Sequence, residues 1–168
     1  MPDRTLETFF GFFNEIGIIE QLSRALFEAR LPQGFLISHF TVLNHLIRVK
    51  DGQTPLALAR AFQVPKTTMT HTLSGLEKAG LIEMRPNPAD KRSKCVWITG
   101  AGWRFRDDAI AGLVPDVERL AGKIAAGDLA AMLPKLAEIR AVLDADRDGR
   151  VSGAVGASGE VRHESHDV

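Results

Sequence analysis

Residues 64–82, VPKTTMTHTLSGLEKAGLI, constrain this chain more than any other stretch. Wound as a helix of about 3.6 residues per turn, they sort into two faces. Met69, Thr72, Leu73 and Leu76 fall at i, i+3, i+4 and i+7, a stripe that needs a core to cover it. Thr67, Thr70, His71 and Ser74 repeat the same spacing on another face, with short polar groups and no apolar bulk. Gly80 stands where a left-handed C-terminal cap belongs. Such a helix is anchored by its own fold on one side and offers hydroxyls to a polar partner on the other.

The neighbouring segments say what kind of scaffold holds it. TPLALARAFQ (54–63) opens with Thr54 as a cap and Pro55 at the first helical position, with Leu58, Ala59 and Phe62 facing inward. A short break at Gln63–Pro65 joins it to the polar-faced helix, which makes a helix-turn-helix candidate. Helical bundles contain such pairs too, so the pair alone leaves plain packing open. Two β-prone runs follow, LIEMR (81–85) and KCVWI (94–98), separated by PNPADKRS (86–93). Pro86 and Pro88 are expected to hold the hairpin tip open, because neither can donate to a ladder. Arg85, Lys91, Arg92 and Lys94 lie along this hairpin. A helix-turn-helix followed directly by a basic hairpin is a winged helix.

Flanking it, residues 5–29 read as a helix whose apolar positions Leu6, Phe9, Phe10, Phe13, Ile16, Leu22 and Leu26 span a wider arc than one intrachain neighbour covers. LPQG (31–34) breaks it. Ser38 is expected to cap the next helix, through about Val49, with Phe40, Leu43 and Ile47 inward. Downstream, Thr99 caps a helical stretch over about 100–126, interrupted by Pro115. A last helix is expected after Asp128, with Pro134 kinking it or delaying its start. From Asp146 onward the Gly, Ser and charge predict a disordered tail, 146–168. The fold class is therefore mostly α with a small β hairpin. A single domain spans 1–145, with its winged helix over about 36–99 and helical flanks at about 5–29 and 100–145.

The 168 residues carry no net charge, yet the charge is unevenly spread. His45–Arg106 holds 11 basic and 4 acidic residues, a net of +7, whereas residues 1–44 net −2 and 107–168 net −5. A basic middle between acidic ends is the footprint of a local anion-binding surface. The single cysteine, Cys95, excludes an intrachain disulfide and a cysteine-based metal cluster, which fits a reducing cytoplasm. It is expected to be a buried strand residue rather than a redox sensor. LETFFGFFNEIGII is broken by acids and lacks the basic start of a signal peptide, and no run reaches a membrane span, so no membrane partner is expected. Asp144, Asp146, Asp148 and Gly149 imitate a calcium loop, but Val155 stands where the bidentate Glu is required. No metal or other cofactor is expected. No nucleophile, base and orienter arrangement and no Gly-rich phosphate loop is legible, which argues against an enzyme.

With these features in order, the chain resembles the multiple-antibiotic-resistance regulator (MarR) family over about residues 5–145. The likeness is strongest in VPKTTMTHTLSGLEKAGLIEMRPNPADKRSKCVWITGAG, with its Thr-rich helix, LEKAGLI, the Asp-x-Arg of Asp90 and Arg92, and the Thr-x-x-Gly of Thr99 and Gly102. The resemblance implies a homodimeric, double-stranded-DNA-binding regulator of transcription. Its terminal helices would interlock with those of a second chain, and a small aromatic effector would release it from a pseudo-palindromic operator. A winged helix that binds protein instead is the alternative, but it should carry apolar residues where this chain keeps hydroxyls and cations.

On that reading Lys66, Thr67 and Thr68 meet phosphate at the helix start, while Thr70, His71 and Ser74 face base edges in the major groove. Family members often carry arginine where His71 stands and serine where Pro65 stands. A solvated surface histidine remains an equal reading of His71. In the wing, Arg92 is expected to enter the minor groove, steered by Asp90, with Arg85, Lys91 and Lys94 on phosphates. Phe9, Phe13, His39 and Phe40 are candidate linings of an effector site, with plain core packing the simpler alternative.

Overall fold

The computed structural model describes residues 2–156, with side-chain surroundings for residues 4–146. In chain order it contains α1 (Pro2–Glu28), α2 (Ile37–Arg48), α3 (Pro55–Ala61), α4 (Lys66–Lys78), β1 (Ile82–Asn87), β2 (Asp90–Ile98), α5 (Gly100–Ala111), α6 (Val114–Ala121) and α7 (Ala126–Gly156). The chain divides into two compact units, one ending at Asp116 and one beginning at Val117.

Helices α2, α3 and α4 and the hairpin share one core. It is built from Val42, Leu43, Leu46, Leu58, Ala59, Met69, Leu73, Leu76, Leu81, Ile82 and Val96. The Thr54 cap and Pro55 start are present, with the Thr54 hydroxyl accepting the Ala57 N–H at 3.2 Å. Ser38 does not cap α2. Leu36 occupies that position, and its N–H donates to Nδ1 of His39 at 3.0 Å. On α2, Val42 and Leu46 are buried with Phe40 and Leu43, while Ile47 is half-buried. The inward face is turned from the expected one because α4, α5 and β2 all pack on this helix.

The hairpin is tighter than Pro86 and Pro88 suggest. Its antiparallel ladder pairs Ile82 with Ile98 and continues through Pro86–Lys94 to Asn87–Asp90, with a register shift between Pro86 and Asn87. A proline lacks only the donor, so the ladder survives it by slipping register. A third edge comes from the turn before α3. Gly52 N–H donates to the Val96 carbonyl at 3.0 Å, and Val96 N–H donates to the Gln53 carbonyl at 2.8 Å. Gly52 has φ +69°, and a Cβ there would lie 2.6 Å from the Trp97 ring, so both the backbone and the space demand glycine.

The junction from α4 to α5 is held by Thr99. Its hydroxyl donates to the Gly80 carbonyl at 2.7 Å and accepts the Gly102 N–H at 3.1 Å. Gly80 itself has φ +70°, the left-handed cap expected of it. Thr99→Val removes both bonds while keeping the shape. It should cost about 1–2 kcal/mol, seen as a lower urea midpoint at unchanged slope.

The stretch 100–126 is interrupted near Pro115 as expected: it is two helices, with Pro115 in the first turn of α6. The last helix departs from expectation. Helix α7 starts at Ala126, before Asp128, and Pro134 lies inside it without delaying its start. It also continues to Gly156, past the Asp146 at which a disordered tail was expected, so the calcium-like residues Asp144–Gly149 sit on a helix and not in a loop. Residues 157–168 lie outside the described residues. No described helix is long and apolar enough to cross a membrane.

Two helical surfaces keep apolar residues in the open. On α1, Leu6, Phe9, Phe10, Phe13, Ile16, Ile18, Ile19 and Leu22 are each 38–71% exposed. On α7, Leu129, Met132, Leu133, Val142 and Leu143 are each at least half exposed. The C-terminal end of α1 is anchored by Arg30, whose Nε donates to Oδ2 of buried Asp116 at 2.7 Å.

Candidate nucleic-acid interface

Helix α4 realises the two faces read from its sequence. Met69, Thr72, Leu73 and Leu76 are buried, whereas Lys66, Thr67, Thr68, Thr70 and His71 are exposed and Ser74 is half-buried. Lys66, Thr67, Thr70, His71 and Ser74 together line one open concavity. At 13 residues, α4 is about 20 Å long, a rod that fits the major groove. Pro65 occupies the cap position and supplies no side-chain bond. The first-turn N–H groups therefore lack the acceptor that a serine would provide, and they remain available to an anion.

The hydroxyls of this face differ in what they can still do. Thr70 donates to the Lys66 carbonyl at 2.8 Å, so its hydrogen is spent while the residue stays exposed. It is left as an acceptor and a thymine-methyl contact. Thr72 makes the same bond to the Thr68 carbonyl at 3.2 Å, but it is buried and serves the core.

The hairpin tip is organised by residues that sequence reasoning passed over. Asn87 Oδ1 accepts the Ala89 N–H at 3.0 Å, and its amide donates to the Ser93 hydroxyl at 2.9 Å. Ser93 in turn donates to the Asp90 carbonyl at 3.1 Å. The signal was present in PNPADKRS, since Asn-Pro and Asp-x-x-Ser are both able to tie a turn to itself. The register shift leaves Lys91, Arg92 and Ser93 between the paired residues Asp90 and Lys94, so the two cations leave the tip exposed.

One expectation about the wing changes. Asp90 does not hold the Arg92 guanidinium; its Oδ1 accepts the Arg92 backbone N–H at 3.0 Å. Asp90 thereby fixes the turn from which Arg92 projects, and no contact among the described residues claims the guanidinium. Arg85 is paired with Glu83 and lies 5.2 Å over the Trp97 ring, so unlike Arg92 it has partners within the hairpin. Lys94 is exposed on β2, and Cys95 beside it is buried, as expected of a strand residue.

The proposed effector lining is not one site within a chain. The Phe9 and Phe13 rings lie tilted to one another, centroids 6.4 Å apart, on the exposed part of α1. Phe40 packs on Phe27 at 4.4 Å, and Phe27 lies about 21 Å along α1 from Phe13. His39 packs edge-on against Phe35 at 5.5 Å and faces α4, where a Cβ on Gly75 would lie 2.8 Å from its Nε2. The length of α1 between Phe13 and Phe27 separates what shared aromatic character groups.

With this geometry in place, the likeness to known proteins is specific. A family model described as MarR family matches residues 33–93. The transcriptional regulator HosA of Escherichia coli O111:H- is 30% identical over 98 residues, covering 58% of this chain and 71% of HosA. The transcriptional regulator BldR of Sulfolobus solfataricus superposes with a TM-score of 0.65 at 21% identity, over 79% of this chain and 96% of BldR. A mutant MarR of E. coli, solved in complex with operator DNA, superposes with a TM-score of 0.64 at 23% identity, over 79% of this chain and 95% of that one.

Proposed function

Because the chain belongs to the MarR family of transcriptional regulators, we propose that it is a sequence-specific DNA-binding repressor that acts as a cytoplasmic homodimer on a pseudo-palindromic operator. The observation that carries this reading is the division of α4. Its polar residues Lys66, Thr67, Thr68, Thr70 and His71 are exposed beside a cationic hairpin tip, while its apolar stripe is buried. The operator complex of the E. coli relative supports it, as does the net +7 of His45–Arg106. The apolar faces of α1 and α7 supply the reason for pairing, since patches of this extent mark association surfaces. A two-fold dimer then reads half-sites roughly 34–36 Å apart.

A small aromatic effector releases such a dimer only if it binds the DNA-incompetent arrangement more tightly. Within one chain Phe9 and Phe13 do not meet His39 and Phe40, so an effector site using all four needs both protomers.

The salt dependence of binding to the DNA upstream of its own gene tests the reading. A dimer neutralising about eight phosphates should give a slope of log affinity against log salt near −7. A flat response, or a protein that sediments as a monomer at micromolar concentration, sinks the proposal.

A further inference from the structure

His39 is the one described histidine wedged between the scaffold and the DNA-facing helix. Its Nδ1 accepts the Leu36 N–H at 3.0 Å, the bond that a Glu or Gln at the third helical position makes in a capping box. Its Nε2 edge faces α4 at Gly75, the position where a Cβ would come within 2.8 Å. Phe35 meets its ring edge-on, and Phe35 lies 4.6 Å from Phe105 of α5. One turn before Gly75 on α4 stands His71 of the exposed face.

We propose that His39 is a positioning residue for the DNA-facing helix: its neutral imidazole, held by the Leu36 N–H and seated against Gly75, sets where α4 lies on α2, and a proton taken up there shifts α4 and loosens the grip on DNA. This rests on the DNA-binding reading. The chemistry is a conflict of roles. A protonated Nδ1 becomes a donor, so it faces the Leu36 N–H with no lone pair to offer. The new cation also sits at a helix N-terminus, where the helix dipole opposes it.

The surrounding groups add to the cost. His71 on α4 repels a second positive charge, and α5 presents Phe105 through Phe35, its Arg106 being turned to Asn44. On α1, the Glu28 carboxylate is occupied by the Ile37 N–H at 3.0 Å. Burial first, and His71 second, hold the His39 pKa below its ordinary 6.5. The unfolded chain therefore binds this proton more readily than the folded one. The stability due to the neutral form is whole above about 6.5 and drains away as pH falls through the lower folded value.

The test uses a labelled duplex selected by the full chain from a random pool at pH 7.5, with anisotropy titrations at pH 7.5 and 5.5 and matched ionic strength. Wild type should bind roughly tenfold more weakly at pH 5.5, because the free protein then takes up this proton more readily than the DNA-bound one. His39→Asn keeps an acceptor near the Nδ1 position without titrating. It should bind within about threefold of wild type at pH 7.5 and lose most of the acid dependence. His71→Asn should retain the acid dependence. In proton–nitrogen spectra of the free protein, the Leu36 and Gly75 amides should move with the His39 imidazole below pH 6.5. An unchanged acid profile in His39→Asn, or a Gly75 amide that ignores the His39 titration, overturns the inference. A wild-type protein that enriches no duplex overturns the DNA-binding reading instead, and the spectra then decide the inference alone.

Discussion

Gly102→Ala is expected to destabilise the protein by about 2–3 kcal/mol. A Cβ at this position would lie 2.2 Å from the Leu81 carbonyl oxygen and 2.7 Å from Cγ1 of Ile98. The Leu81 carbonyl is itself fixed, because it accepts the Thr99 N–H at 3.1 Å. Backbone caught in this way has no flexible end to swing aside. The clash therefore belongs at the upper end of the roughly 1–3 kcal/mol usual for overpacking. Alanine's better helix propensity, at most about 1 kcal/mol, offsets only part of it. Gly100→Ala in the same helical turn is the control, since its nearest neighbour is an Arg104 nitrogen at 3.7 Å. That variant should be neutral or slightly more stable. Equal urea midpoints for the two variants would show that α5 does not bear on the end of α4 as described.

Arg92→Ala should weaken operator binding by two to four powers of ten at moderate salt. Each protomer would lose one charged contact of about 1.5–3 kcal/mol, and the proposed dimer would lose two. Among the described contacts the Arg92 guanidinium has no carboxylate partner, and Asp90 holds its backbone, so the residue is exposed and aimed at no expense to the fold. The salt slope should fall by about 2, one for each lost phosphate-region contact. Arg85→Ala gives the contrast. Because Arg85 is paired with Glu83 and stacked on Trp97, its removal should alter hairpin stability more than the salt slope. If Arg85→Ala reduces the slope and Arg92→Ala leaves it unchanged, the division of roles within the wing is reversed.

Asp90→Asn should leave much of the affinity in place, since an amide oxygen still accepts the Arg92 N–H. The outcome separates a carboxylate that shapes a turn from one that steers a guanidinium electrostatically.

The elements legible in one dimension are those whose signals are local and periodic. The α4 stripe of Met69, Thr72, Leu73 and Leu76 is buried as its spacing requires, and Thr54, Pro55, Gly80 and Thr99 occupy the helix ends they announce. A 3.6-residue period and a capping hydroxyl act within a few residues of themselves, so the chain states them directly. The winged-helix identity followed because several such signals stand in one order.

What the linear order left open depended on groups far apart in it meeting in space. Nothing near His39 says that it accepts the Leu36 N–H, or that Gly75 lies against it. Likewise, Arg85 looked as available as Arg92 until Trp97 was brought beneath it by the ladder. The aromatic set of Phe9, Phe13, His39 and Phe40 shared a chemistry but not a place, because a straight helix keeps residues as far apart as its rise dictates. Residue type and local period are properties of neighbours along the chain. Which cation is engaged and which is spare is a property of neighbours across it, and packing alone assigns those.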